Sequence, residues 1–167
     1  MCFRIRSVFA WLFPLLCLGS INTVATATDT VEPVTQETVE QVNTFLQRFI
    51  DPAKTPTEQA EFFAPGVDYY DHGIVDKAHI VKDVERYVRR WPTRTYRLAI
   101  VEYINPDPQS NRVFVSYVID YEVANDSNAV HGQANYGAVI ADIATSPKIE
   151  WIRERVTQRR SPFKDQE

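Results

Sequence analysis

The residues best suited to chemistry are concentrated between Val67 and Tyr96, in the run Asp68-Tyr69-Tyr70-Asp71-His72 that leads into a charged amphipathic segment. Read as an extended strand, Val67 to His72 puts Asp68, Tyr70 and His72 on one side and Tyr69 and Asp71 on the other. A carboxylate that enters an apolar cavity becomes a better base through burial, and a phenol or imidazole beside it can donate to a developing enolate. That would be proton removal next to a carbonyl, with Asp68 as base and Tyr70 and His72 as donors. The same residues have a structural reading. Tyr69 and Tyr70 pack in the core with their hydroxyls toward water, and Asp68 and Asp71 bond backbone groups around Gly73.

Other candidates are spread along the chain. Tyr117 and Tyr121 fall on an apolar strand face, and with Tyr70, His72 and His131 they make up the candidate ligand-binding set. His131, Gln133 and Asn135 share one side of a strand, as a polar pocket wall or as a solvated face. Arg90, Arg94 and Arg97 beside Trp91, Tyr96 and Tyr103 would suit an anionic group, or simply a solvated helix end. The three histidines, His72, His79 and His131, have no spacing that puts two on one helix face, so neither a metal nor a cofactor is expected. No nucleophile-base pairing or phosphate loop is present.

The first 27 residues read as an export signal: Arg4 and Arg6, an apolar run from Val8 to Leu18, and Ala25-Thr26-Ala27 as a small-x-small cleavage site near Ala27. The apolar run is too short for a membrane span and contains Pro14, so no stable span is expected after cleavage. Lipid attachment at Cys17 is disfavoured by Leu16, where a small residue normally precedes the cysteine. The expected location is therefore the periplasm or the exterior. Cys2 and Cys17 both lie in this segment, which leaves the mature domain without a thiol. Removing it leaves 16 basic against 22 acidic residues, a net charge of −6, which disfavours nucleic acid as a partner. The whole chain of 167 residues, 44% hydrophobic and 12% aromatic, suits one globular domain.

Elements that would position the candidates follow from periodicity. Residues 28–34 form a polar leader. Val39, Val42, Phe45, Leu46 and Phe49 recur at helical spacing, with Thr35 or Thr38 as the N-cap. Thr55-Pro56-Thr57-Glu58 is a sharp start for a short second helix that ends before Pro65-Gly66. Asp76 is the N-cap of a third, whose stripe is Ile80, Val84, Tyr87, Val88 and Trp91. After Pro92 the period becomes twofold, giving strands near 95–104, 112–123, 129–143 and 148–158 joined by turn-rich breaks, an antiparallel meander. Val113, Val115, Tyr117, Ile119, Tyr121 and Val123 form the face expected under the helices. Residues 159–167 form a polar tail.

Val67-Asp68-Tyr69-Tyr70, Gly73 and Arg90-Trp91-Pro92-Thr93-Arg94-Thr95-Tyr96, in this order of elements, resemble the NTF2-like superfamily, which includes ketosteroid isomerase and SnoaL-like polyketide cyclases. The closer likeness is to its exported bacterial members of unassigned role, and it covers nearly all of Thr35 to Thr157. The resemblance implies an α+β domain over 35–158, with three N-terminal helices packed on a curved antiparallel sheet that forms a cone. It further implies a cone mouth that admits a small apolar or aromatic ligand, and a homodimer through the other sheet face. No catalytic residue of ketosteroid isomerase is carried over to a position here. The expected role is an exported ligand-binding or dimerisation module without turnover. The alternative is an isomerase, cyclase or dehydratase that uses Asp68, Tyr70 and His72.

Overall fold

Helix α1 (Gln36–Phe49) starts at Thr35, whose hydroxyl accepts a hydrogen bond from the Thr38 amide at 3.1 Å. Of the two caps the sequence allows, the chain uses the earlier one. Its buried residues, Val42, Phe45, Leu46 and Phe49, are those of the expected stripe. Helix α2 (Pro56–Ala60) begins with a complete capping box: Thr55 accepts from the Glu58 amide at 3.2 Å while the Glu58 carboxylate accepts from the Thr55 amide at 2.8 Å. The computed structural model describes residues 34–107 and 109–160, the last five through their backbone alone. The export segment 1–27, the leader up to its last residue and the end of the polar tail lie outside the described residues.

Strand β1 (Phe63–Tyr69) begins earlier than the sequence pattern predicts and stops before Tyr70. Tyr70–His72 is a 3-10 turn, and β2 (Ile74–Val75) comes back antiparallel to β1. Tyr70 has φ +47° and Gly73 has φ +72°. A strand cannot run through such angles, so the expected alternation of Asp68, Tyr70 and His72 on one face does not occur. Helix α3 (Lys77–Arg90) then starts at Asp76, which accepts from the His79 amide at 2.8 Å. Because β1 and β2 separate α2 from α3, the helices are not a block of three at the N-terminal end.

The remaining chain is the expected meander of β3 (Thr93–Asp107), β4 (Arg112–Ala124), β5 (Ala129–Ala141) and β6 (Lys148–Arg160). β3 continues through Pro106, which an edge strand tolerates because one side of its backbone is unpaired. The six strands lie in the order β2-β1-β6-β5-β4-β3. β1 runs parallel to β6, so the sheet is mixed where an antiparallel one was expected. A parallel pair needs a long crossover, and α3 with the meander provides it. Register shifts in β3 and along the β5/β6 pair mark bulges, which bend strands and increase their twist. The result is a curved α+β sheet.

The core gathers at the α1 end. Phe62 meets Phe45 edge-on at 5.6 Å and Phe49 at 5.7 Å, while Phe49 meets Phe63 at 5.6 Å, so α1 is tied to the start of β1 by interlocked rings. Val113, Val115, Ala138, Ile140, Ile149 and Ile152 form the buried sheet face beneath. At the opposite end Trp91 packs with Val123 and Val130. Of the α3 stripe, Ile80 is fully buried but Tyr87 remains 42% exposed. No helix among the described residues is long and apolar enough to cross a membrane.

Candidate active site

The inner face of the sheet carries a row of three side chains fixed by strand register. Tyr117 on β4 stands opposite Tyr136 on β5, and Tyr136 stands opposite Glu154 on β6. The two rings are nearly parallel, 13° apart with centroids at 5.3 Å. Over this row α3 contributes Asp83, Val84 and Tyr87, the end of β1 and its turn contribute Tyr69 and Tyr70, and β3 contributes Tyr96. Between them lies a cavity of about 320 Å³, floored by Phe63 and Ile119 and bordered by the α1–α2 connection. Six of the chain's eight tyrosines line it. At the α1 end phenylalanines close the interface. Beneath α3 the rings carry hydroxyls that need polar partners when buried, and the packing stays open.

Four of those hydroxyls have partners. Tyr69 donates to Asp83 Oδ2 at 3.2 Å, and Asp83 Oδ1 also accepts from Arg86 at 3.3 Å. Tyr96 donates to the Tyr87 hydroxyl, and Tyr136 donates to Glu154. The Tyr117 hydroxyl is buried without a partner, on a side chain with 0% exposure. Such a group costs roughly 1–3 kcal/mol in desolvation. Burial raises all six phenols above their ordinary pKa of 10.0, and the charge of Glu154 adds to the rise of every one.

Glu154 is exposed to solvent, yet the atoms packed around its carboxyl desolvate it in part and raise it above the ordinary 4.5, while the Tyr136 hydroxyl offsets part of that rise. No described lysine or arginine pairs with it. The cations in the cavity wall are held elsewhere: Arg94 donates to the Trp91 and Pro52 carbonyls at 2.8 and 3.1 Å, and Lys54 lies 3.9 Å from Asp51. A second depression, about 230 Å³, shares Tyr87, Tyr96, Ile119, Tyr136 and Glu154 with the first and extends to Trp91 and Tyr121. Glu154 therefore borders both. A carboxylate of raised pKa beside phenolic donors is a stronger base than an ordinary one, and it can also neutralise a cation.

Of the residues singled out in the sequence, Tyr70 and Tyr117 line the cavity and Tyr121 lines its extension. Asp68 does not line it. Both of its carboxylate oxygens accept from Arg153 Nη2 at 2.9 Å, and Arg153 lies over the Trp151 ring at 5.2 Å. His72 is exposed on the 3-10 turn, its ring 5.2 Å from that of His79. His131 sits in a shallow depression on the other sheet face with Arg97, Asp120 and Gln133, where Arg97 pairs with Asp120 and Gln133 donates to Asp120 at 2.8 Å. Asp68, Tyr70 and His72 are thus not brought together, and His131 is separated from Tyr117 by the sheet. Sequence reasoning missed Glu154. Its signal was the twofold period of β6, in which Glu154 follows the apolar Ile152 by two residues. No group of His, Cys, Asp and Glu among the described residues is arranged to hold a metal ion.

No family model matches the sequence, and no curated protein matches it. Solved structures do match in shape. A Novosphingobium aromaticivorans protein provisionally named a scytalone dehydratase has a TM-score of 0.62 at 12% identity, over 75% of this chain and 91% of that one. A second protein from that organism, provisionally named an aromatic ring hydroxylase, has a TM-score of 0.67 at 8% identity, over 80% and 99% of the two chains. A Catenulispora acidiphila protein, solved in complex with S-DNPA, has a TM-score of 0.57 at 14% identity, over 72% and 95%. At these identities the likeness is one of fold.

The electrostatics of Glu154 make a prediction that stability measurements can check. The folded protein holds this proton more tightly than the unfolded chain does, so the group's contribution to stability is full below pH 4.5 and is lost as pH rises through the shifted value. Glu154→Gln removes that dependence. In urea melts at pH 4, 5.5 and 7, the stability of the variant relative to wild type is expected to rise with pH. A difference that stays flat across the series contradicts the placement of Glu154.

Proposed function

On the NTF2-like fold that this chain adopts, we propose an exported module that binds one small molecule with an apolar or aromatic body in the cavity between α3 and the inner sheet face. Export rests on the first 27 residues. The observation that carries the binding reading is the tyrosine-walled cavity with the Tyr117 hydroxyl left unpartnered in its wall. Cavities of ~300–1,000 Å³ with apolar and aromatic walls and a few polar groups are the usual form of a small-molecule site. Side chains that only stabilise a core pack to crystal-like density and leave few buried hydroxyls unpaired.

Self-association through the outer sheet face belongs to the same reading. Tyr103 and Ile100 are 53% and 55% exposed there, and Tyr103, Phe114 and Trp151 follow one another with centroids 6.1 and 6.2 Å apart. Trp151 lies across Gly137, where a Cβ would come within 3.1 Å of its ring. An aromatic surface of this kind is a typical interface core. The occupant proposed is a second copy of this chain.

Proton transfer is the second reading, favoured by the raised pKa of Glu154 beside the Tyr136 hydroxyl. In it Glu154, and not Asp68, is the base. It predicts that the mature protein catalyses deuterium exchange next to the carbonyl of a bound ketone such as 1-indanone, and that Glu154→Gln abolishes the exchange. Exchange at the same rate in the variant eliminates it.

Two results are expected from the first reading. Val84→Phe, which fills the cavity from α3, is expected to abolish the melting-temperature rise that 1-indanone or 2-naphthol gives with wild type. Unchanged uptake places the ligand elsewhere. In sedimentation at micromolar concentration, wild type is expected to run as a dimer and Tyr103→Glu as a monomer, and a monomeric wild type removes the dimer from the proposal.

A further inference from the structure

Glu154 stands among the tyrosines of the cavity, whose wall also carries Asp51, Asp83, Lys54 and Arg94. The wall presents six tyrosine rings, and the Glu154 charge acts on all six. Ring faces carry the negative end of the aromatic quadrupole, and several around one site attract an organic cation. Glu154 has the Tyr136 hydroxyl as its hydrogen-bond partner and no described lysine or arginine as counter-ion. Arg94 is tied to two backbone carbonyls, and Lys54 sits 5.5 Å over the Phe62 ring, outside the tyrosine row. A partly desolvated carboxylate without a counter-ion is costly, and a cation delivered by a ligand removes the cost.

Resting on the reading of this cavity as a ligand site, we infer that it takes an organic ammonium ion with a compact apolar body, held against the tyrosine rings with Glu154 as its counter-ion. The charge does two things for recognition. It replaces the missing partner of Glu154, and it meets ring faces that an uncharged body of the same shape would only touch by dispersion. An anionic ligand would face both Glu154 and Asp83, the latter bonded to Tyr69 in the same wall.

A matched pair of probes tests this. Phenyltrimethylammonium and tert-butylbenzene have almost the same shape and differ by one charge, and both can be titrated into the mature protein by NMR. Wild type is expected to bind the cation roughly tenfold or more tightly than the hydrocarbon. Glu154→Gln is expected to weaken the cation by about the same factor and to leave the hydrocarbon within about twofold. Equal or tighter binding of tert-butylbenzene by wild type overturns the inference while leaving a ligand site in place. So does cation binding that survives Glu154→Gln. If neither probe binds wild type, the cavity reading falls and this inference falls with it.

Discussion

Strand register is the constraint on which the site depends. Backbone hydrogen bonds between β4, β5 and β6 decide that Tyr117, Tyr136 and Glu154 are neighbours. A slip of one residue would turn any of them to the opposite face. On that face lie the half-buried Ser116 and Asn135, the buried Val118 and the exposed Arg155. The bulge between Gln133 and Ala134 lies just before this row, and the one between Val139 and Ile140 just after it, so both the bend of the sheet and the composition of the row depend on the same irregular pairing.

The two ends of the helical layer have different consequences. Beneath α1, phenylalanines and aliphatic side chains reach full burial and make no polar demands. Beneath α3, each tyrosine ring brings a hydroxyl; four of these pair with one another or with Asp83 and Glu154, and that of Tyr117 is buried without a partner. Stability is concentrated at one end so that the other can remain hollow. Tyr70 fits the same division. Its φ of +47° costs about 1–2 kcal/mol for a bulky residue, and it ends β1 where the strand would otherwise carry its side chain away from the cavity.

The placement of charge follows from the two sheet faces. On the outer side, carboxylates have near cations: Asp68 with Arg153, Asp120 with Arg97, Glu150 with Arg112. Glu154 lies on the inner side, where the cavity it borders is walled largely by tyrosines. One period-two pattern therefore produces ion-paired acids on one face and an acid of raised pKa without a described counter-ion on the other.

By itself the sequence determined the elements whose signals are local. The Thr55–Glu58 box and Asp76 mark helix starts because a cap is a contact over three residues, whereas for α1 the sequence left Thr35 and Thr38 open and the fold uses Thr35. The inner face of β4, from Val113 through Tyr117 to Val123, was legible from twofold alternation, and the order of elements was enough for the NTF2-like resemblance. Tertiary structure decided the rest. The parallel pairing of β1 with β6 joins segments about 85 residues apart, the separation of Arg153 from Asp68, and no short-range pattern encodes it. The end of β1 at Tyr69 depends on a positive φ at a residue type that rarely adopts one. Whether an acid on an alternating strand meets a cation or a wall of phenols depends on what folds over it, and for Glu154 that includes α3, more than sixty residues earlier in the chain.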